Sequence, residues 1–321
     1  MRNCLVQGNA ATSQPGSMNC PGEFIDCIFR DNKSKTNQRG GFYVSGSPNI
    51  QVRRCVFSGN TGDINFDLNT ASTAESVIES CIFTNPQDSF SMCVSRPKEA
   101  VTGGYKVRNC FFSLGTTASI NGAISIDDGN NCLRECPIEI ENCTFAGKYS
   151  RGALYLGAAK TYGATAYTNV HVRNCAFPLG DTVLFYTHAS YLPFSKTIVS
   201  NMTHCAFRDD QATAQSGAWA DLALPASSNV FYSVADMAFS DAASGSYGLT
   251  RNSPLRQKGE VRGWMDKKTL ALGDGTYTVE KVMDYGVKPV FGGVSRRLYS
   301  GAVDIGCAQY WCAPGLMLLL R

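Results

Sequence analysis

One short phrase recurs eight times within the first 207 residues, and it constrains the chain more than any other feature. The copies are RNCLV (2–6), IDCIF (25–29), RRCVF (53–57), ESCIF (79–83), RNCFF (108–112), ENCTF (141–145), RNCAF (173–177) and THCAF (203–207). Each holds a cysteine: Cys4, Cys27, Cys55, Cys81, Cys110, Cys143, Cys175 and Cys205. Two places later stands Phe in seven copies and Val6 in the first. Successive cysteines lie between 23 and 33 residues apart. A core phrase that persists while the spacing drifts marks one coil of a solenoid with loops of variable length.

The coil is a β coil. In Val170-His171-Val172 the valines share one face and His171 takes the other. Arg173-Asn174 turns the chain, and Cys175 and Phe177 then point the same way. Ile138 and Ile140, Val52 and Val77 fit the same reading ahead of their cysteines. A second strand follows in GGFYVSG (40–46), DINFDLN (63–69), SFSMCVS (89–95), NGAISIDD (121–128) and GALYLGA (152–158). Each coil therefore carries about three short strands. Stacked at about 4.8 Å, the coils bury one continuous core with inward columns of Cys and Phe. The residue before each Cys falls in the turn, where an Asn column can pass amide hydrogen bonds from coil to coil.

This pattern resembles the right-handed parallel β-helix repeats of the pectin-lyase-like superfold, over about residues 2–215. The resemblance implies an all-β fold, a right-handed parallel β-helix solenoid of about eight Cys-x-Phe coils. It divides the chain into 1–215, the β-helix, and 216–321, a C-terminal capping module. Because a repeat phrase follows Met1 at once, the expectation is a truncated N-terminal end, continuous with further coils upstream.

The tail carries a second resemblance. VADMAFSDAASGSYGLTRNSP (234–254) and SGAVDIGCAQYW (300–311) resemble the terminal module of bacterial surface β-helix proteins, of the SPxxDxG … VDIGAxE type. Gln257 departs from that pattern, as do Cys307, Ala308 and Gln309. The resemblance implies a cap over the C-terminal end of the solenoid, with Pro254, Asp304 and Gly306 structural. It also implies a secreted or cell-surface location, although the chain shows no signal peptide. Asp241 and Asp304 could supply carboxylates to a Ca²⁺ ion, but their spacing does not demand one.

A net charge of +3, from 29 basic and 26 acidic residues, makes no case for nucleic acid. No apolar run approaches the 18 or so residues of a membrane span. Disulfides within the cysteine column are rejected, because stacked Cβ atoms about 4.8 Å apart exceed the roughly 3.5–4.5 Å a disulfide takes. The pairs left open are Cys132–Cys136 and Cys307–Cys312. Zinc is not assigned: neither pair has a second pair beside it, and His171, His188 and His204 are scattered. No cofactor is called for.

Alternation places Tyr43, Asn65, Asp67, Cys93, Ser125, Asp127, Tyr155 and Tyr186 on the outward face of the second strands. Tyr43, Asn65, Tyr155 and Tyr186 are the expected ligand-binding residues, since tyrosine rings offer flat platforms to sugars. Asp67 and Asp127, two coils apart, are about 9.6 Å apart at the backbone. That is close to the separation of inverting glycosidase carboxylates, and Asp128 adds a third acid. Lyases of the resembled superfold use Ca²⁺ carboxylates with a Lys or Arg base. Its hydrolases use clustered Asp with GHG and RIK motifs, and neither motif is in this chain. Asp before Gly, as in Asp127-Asp128-Gly129, is also ordinary turn chemistry. The expectation is a non-catalytic glycan-binding, adhesin or stalk protein; the alternative is a polysaccharide lyase or glycoside hydrolase.

Overall fold

A computed structural model describes residues 1–12, 22–34, 41–45, 49–67, 72–84, 86–87, 90–95, 102–113, 122–128, 136–147, 152–158, 169–178, 185–187, 201–208, 227–241, 246–260 and 305–307. Most of their strands form three parallel sheets wound as a solenoid; Ala10–Ala11 also pairs with Lys33–Ser34, and Phe239–Asp241 pairs antiparallel with Ser246–Leu249. A nine-stranded sheet contains the Cys-x-Phe strands, from Leu5–Gln7 and Ile28–Arg30 through Ala206–Arg208, and ends on Val230–Tyr232. A seven-stranded sheet runs from Gly22–Ile25 to Met202–Thr203, and a six-stranded sheet from Phe42–Ser45 to Phe185–Thr187.

The corner between the seven- and nine-stranded sheets explains the residue before each cysteine. Asn3, Asp26, Arg54, Ser80, Asn109, Asn142, Asn174 and His204 all adopt φ between 52° and 57°. Asn and Asp tolerate this left-handed conformation best, which accounts for their frequency here. One such residue turns the chain, and the cysteine then starts the next side of the coil. The expected amide link is present between one of the two successive asparagine pairs: Asn174 Nδ2 donates to Asn142 Oδ1 at 3.2 Å, whereas the Asn109 amide on the rung before makes no such bond. Where Asp26 and Arg54 meet, a bidentate ion pair at 2.7 and 2.9 Å takes its place.

Inside, the expected columns form. The cysteines from Cys27 to Cys205 are buried free thiols. Each donates to the carbonyl two residues back, as Cys110 Sγ does to Arg108 O at 3.2 Å. Beside them the rings from Phe29 to Phe207 stack face to face. Their centroids are 4.7–5.1 Å apart and their planes within 12°. Parallel in-register strands enforce this stacking, because identical positions repeat at the rung spacing.

The structure adjusts the sequence reading at three points. Val77 lies on the outward side and Ile78 takes the inward position, in register with Val52 and Val107. The third place before each cysteine is the inward one, and Val77 is fourth. The solenoid also continues past residue 215. In Ser228-Asn229-Val230-Phe231 a degenerate phrase builds a ninth rung, with Asn229 at the cysteine position. Asn229 Oδ1 accepts from the Cys205 N–H at 2.9 Å, and its Nδ2 donates to Met202 O at 3.0 Å.

The third concerns the tail. Met237, Leu249, Leu255 and Ile305 pack on Ala176 and Ala206, on the outward face of the nine-stranded sheet. Gly306 N–H donates to Asn174 O at 2.7 Å, and Cys307 N–H to Thr144 Oγ1 at 3.0 Å. The described tail segments therefore lie along the flank of the solenoid across four rungs; most of the expected capping module, including 261–304 and 308–321, lies outside the described residues. The cause is visible in the middle residue of the phrase. Thr144, Ala176 and Ala206 are small and let a backbone approach; a Cβ on Gly306 would come within 2.8 Å of Thr144 Oγ1.

Candidate functional site

The six-stranded sheet gathers the candidate residues. Its register joins Tyr43, Asn65, Cys93, Ser125, Tyr155 and Tyr186 in one column, rung after rung. A second column, two residues along the strands, joins Ser45, Asp67, Ser95, Asp127 and Gly157. Asp67 and Asp127 are thus two rungs apart, as alternation requires. Asp128 falls out of both columns and pairs with Ala158. The opposite parity, with Val44, Phe66, Met92, Val94, Ile124 and Ile126, is core. Both columns therefore have outward parity. The side chains of Asn65, Asp67, Asp127, Asp128 and Tyr186 lie outside the described residues.

Outward parity does not mean open to solvent. Tyr43 is only 7% exposed, which corrects the expectation of an accessible platform there. Ser125, in the same column, is also buried. Tyr155 is half-buried and packs its ring 5.3 Å from that of Phe90. It is the candidate ring whose described side chain reaches solvent.

Sequence reasoning missed two polar arrays. The first covers the outward face of the seven-stranded sheet. Arg53, Glu79, Arg108, Glu141 and Arg173 succeed one another in register with alternating sign. Glu141 is fully buried between Arg108 at 3.7 Å and Arg173 at 3.5 Å. Alongside, Lys106 Nζ sits 2.7 Å from Glu139. Burial would raise the Glu139 pKa, but Lys106, with Arg108 and Arg173 near it, outweighs burial and holds the carboxyl below its ordinary range. The signal was the alternation of Arg and Glu two places before the successive cysteines.

The second array is an amide chain at the next corner. Asn9, Asn32 and Asn60 each stand five places after a cysteine, a spacing visible in GN, DN and GN. Asn9 Nδ2 donates to Asn32 Oδ1 at 2.9 Å, and Asn32 Nδ2 to Asn60 Oδ1 at 2.9 Å. Asn60 Nδ2 then donates to Asp63 Oδ1 at 3.0 Å.

Residues 1–177, more than half of the chain, match the family model described as "Right handed beta helix region". The chain belongs to the right-handed β-helix family. In this β-helix protein the matched stretch holds every rung from Leu5–Gln7 to Ala176–Phe177, and with them the candidate residues from Tyr43 to Tyr155. No curated protein and no solved structure matches the chain. Among the described residues of the β-helix, no group of three or more His, Cys, Asp or Glu side chains could hold a metal ion. Asp304, expected to share a Ca²⁺ site with Asp241, lies outside the described residues, as do Cys132 and Cys312 of the expected disulfides.

Proposed function

We propose that this β-helix protein is a secreted or cell-surface rod that binds glycan along the outward face of its six-stranded sheet without chemical turnover. The observation that carries this reading is the register of Tyr155 with Tyr186 on the next rung. Two aromatic residues about 4.8 Å apart along a rigid sheet suit the apolar faces of sugar rings. The column also contains Asn65, an amide able to meet hydroxyl groups. The solenoid favours such a role because its surface is set by stacked rungs rather than by mobile loops. The surface location is supported by the likeness of the tail to bacterial surface β-helix proteins.

The test is retention of the full chain on a panel of neutral and acidic polysaccharides, with product detection in the same samples. Retention without products, lost in Tyr155→Ala, is the expected result. A second reading, polysaccharide lyase or glycoside hydrolase, is favoured by the in-register spacing of Asp67 and Asp127. Turnover by the wild type that disappears in the Asp67→Asn/Asp127→Asn double variant would establish hydrolysis at these carboxylates and overturn the binding reading. Turnover that survives in the double variant would overturn it too, and would point to a Lys or Arg base elsewhere.

A further inference from the structure

The described tail crosses rungs instead of stacking on them. It leaves the ninth rung after Tyr232 and turns back at once, with the Met237 N–H donating to Ser233 O at 3.0 Å. Met237, Leu249 and Leu255 pack on Ala176 and Ala206, and Val230 and Tyr232 of the ninth rung pack against the same cluster. Farther along, Glu260 and Asn174 exchange two hydrogen bonds. The Glu260 N–H donates to Asn174 Oδ1 at 2.7 Å, and Asn174 Nδ2 donates to Glu260 O at 2.8 Å. The Gly306 N–H donates to Asn174 O at 2.7 Å, so both tail segments are fastened to one corner residue. They are also tied to each other, by the Ile305 N–H on Leu255 O at 2.9 Å. Cys307 then reaches the rung before, at Thr144.

Such contacts change how a solenoid opens. In a plain stack each coil meets mainly its neighbours, so the last coil can detach by giving up one interface. Here the ninth coil is held on both sides, by the eighth coil before it and by the fastened tail after it. Opening it alone frees only a loop closed at both ends, which gains little chain entropy. Opening the tail as well forfeits contacts to Ala206, Ala176, Asn174 and Thr144. We infer that the tail is a strap that joins the coils of Cys143, Cys175, Cys205 and Asn229 into one cooperative unit, with Asn174 as its fastening point. The joined coils include those that carry Tyr155 and Tyr186.

The sequence limits the strap to this part of the rod. Thr144, Ala176 and Ala206 are small, whereas the same place in the phrase holds Val56, Ile82 and Phe111 on the earlier coils. Those side chains would keep a backbone from coming as near as Gly306 does to Thr144 and Ala176. The coils of Cys55 and Cys81 therefore open without reference to the strap.

A set of equivalent amides reports the unit. The residue after each cysteine, or after Asn229, donates to the cysteine carbonyl of the coil before. Val56, Ile82, Phe111, Thr144, Ala176, Ala206 and Val230 all do so at 2.9–3.0 Å. Native-state hydrogen exchange on the full chain, at rising urea below the unfolding transition, gives an opening isotherm for each. In the wild type, Thr144, Ala176, Ala206 and Val230 should converge on one isotherm. Gly306→Ala unfastens the strap, because Gly306 has φ of 93° and a Cβ there would meet Thr144 Oγ1 at 2.8 Å. In that variant Ala206 and Val230 should exchange about tenfold or more faster than Thr144, with Val56 and Ile82 unchanged. Separate isotherms for the four amides in the wild type would overturn the inference. So would a Gly306→Ala protein in which the four still open together, or one in which Val56 and Ile82 accelerate as much as Val230.

Discussion

Asn60 Nδ2 donates to Asp63 Oδ1 at 3.0 Å, and Asp63 Oδ2, buried beside it, has no hydrogen-bond partner. The amide chain that starts at Asn9 thus ends on a carboxyl group sealed from water. Burial is the largest influence on that group and drives its pKa up to about 8. The hydrogen bonds from Asn60 and Ser91 pull the other way and only partly offset it.

A pH dependence of stability follows. The folded protein holds the Asp63 proton up to about pH 8, whereas the unfolded chain releases it near the ordinary value of 3.8. The native state binds more protons between these limits, so the contribution of Asp63 to stability is fully present below 3.8. That contribution falls by up to about 1.4 kcal/mol per pH unit across the window and is lost above about pH 8. Asp63→Asn should abolish this slope and leave the variant the more stable protein at pH 8. Urea midpoints from pH 4 to 9 for both proteins give the comparison; parallel curves would mean that Asp63 carries no proton in the fold.

Tyr105 is fully buried with its ring 4.8 Å from Phe66, and its hydroxyl has no hydrogen-bond partner. Tyr105→Phe keeps the ring and removes a polar atom that is desolvated without return. The variant should be more stable by about 1 kcal/mol. A lowered denaturation midpoint would show that the hydroxyl is in fact bonded.

Phe145 stacks between Phe112 at 5.0 Å and Phe177 at 4.9 Å, fully buried. Phe145→Ala should cost about 3–5 kcal/mol through lost burial and the cavity left between two rings. The loss should concentrate in the adjacent rungs, because each coil contacts mainly its neighbours. Hydrogen exchange resolved by segment would reveal it as faster exchange in 105–113 and 170–177, with little change near Leu5–Gln7.

Asn109 and Asn142 share the left-handed corner conformation, with φ of 56° and 52°. Their side chains differ. The buried Asn109 amide has no hydrogen-bond partner, whereas Asn142 Oδ1 accepts from Asn174. Glycine fits the backbone at either site. Asn109→Gly should therefore be neutral or stabilising by up to about 1 kcal/mol, and Asn142→Gly destabilising by about 1 kcal/mol. Equal effects on the thermal midpoint would refute the distinction.

The solenoid was legible in the sequence because its rungs are copies. A fixed offset from each cysteine determines which residues face inward, which one turns the corner, and that Asp67 and Asp127 share a column. Val77 was misread by miscounting that offset by one. The amide chain through Asn9, Asn32 and Asn60 was equally available, at five places after the cysteine. So was the ninth rung, where Asn229 stands in for Cys.

Tertiary structure decided what covers the outside. Strand alternation gives the direction of a side chain, not what lies over it, so Tyr43 has outward parity and is nonetheless buried. The tail meets Thr144 across 163 residues of chain, through Cys307. That contact depends on the small profile of Thr144, Ala176 and Ala206 against one segment's backbone. A repeat specifies its own stacking because every coil meets a near-copy of itself. A flank contact joins unlike segments, and its partner is specified only by the shapes and hydrogen-bonding groups that folding brings together.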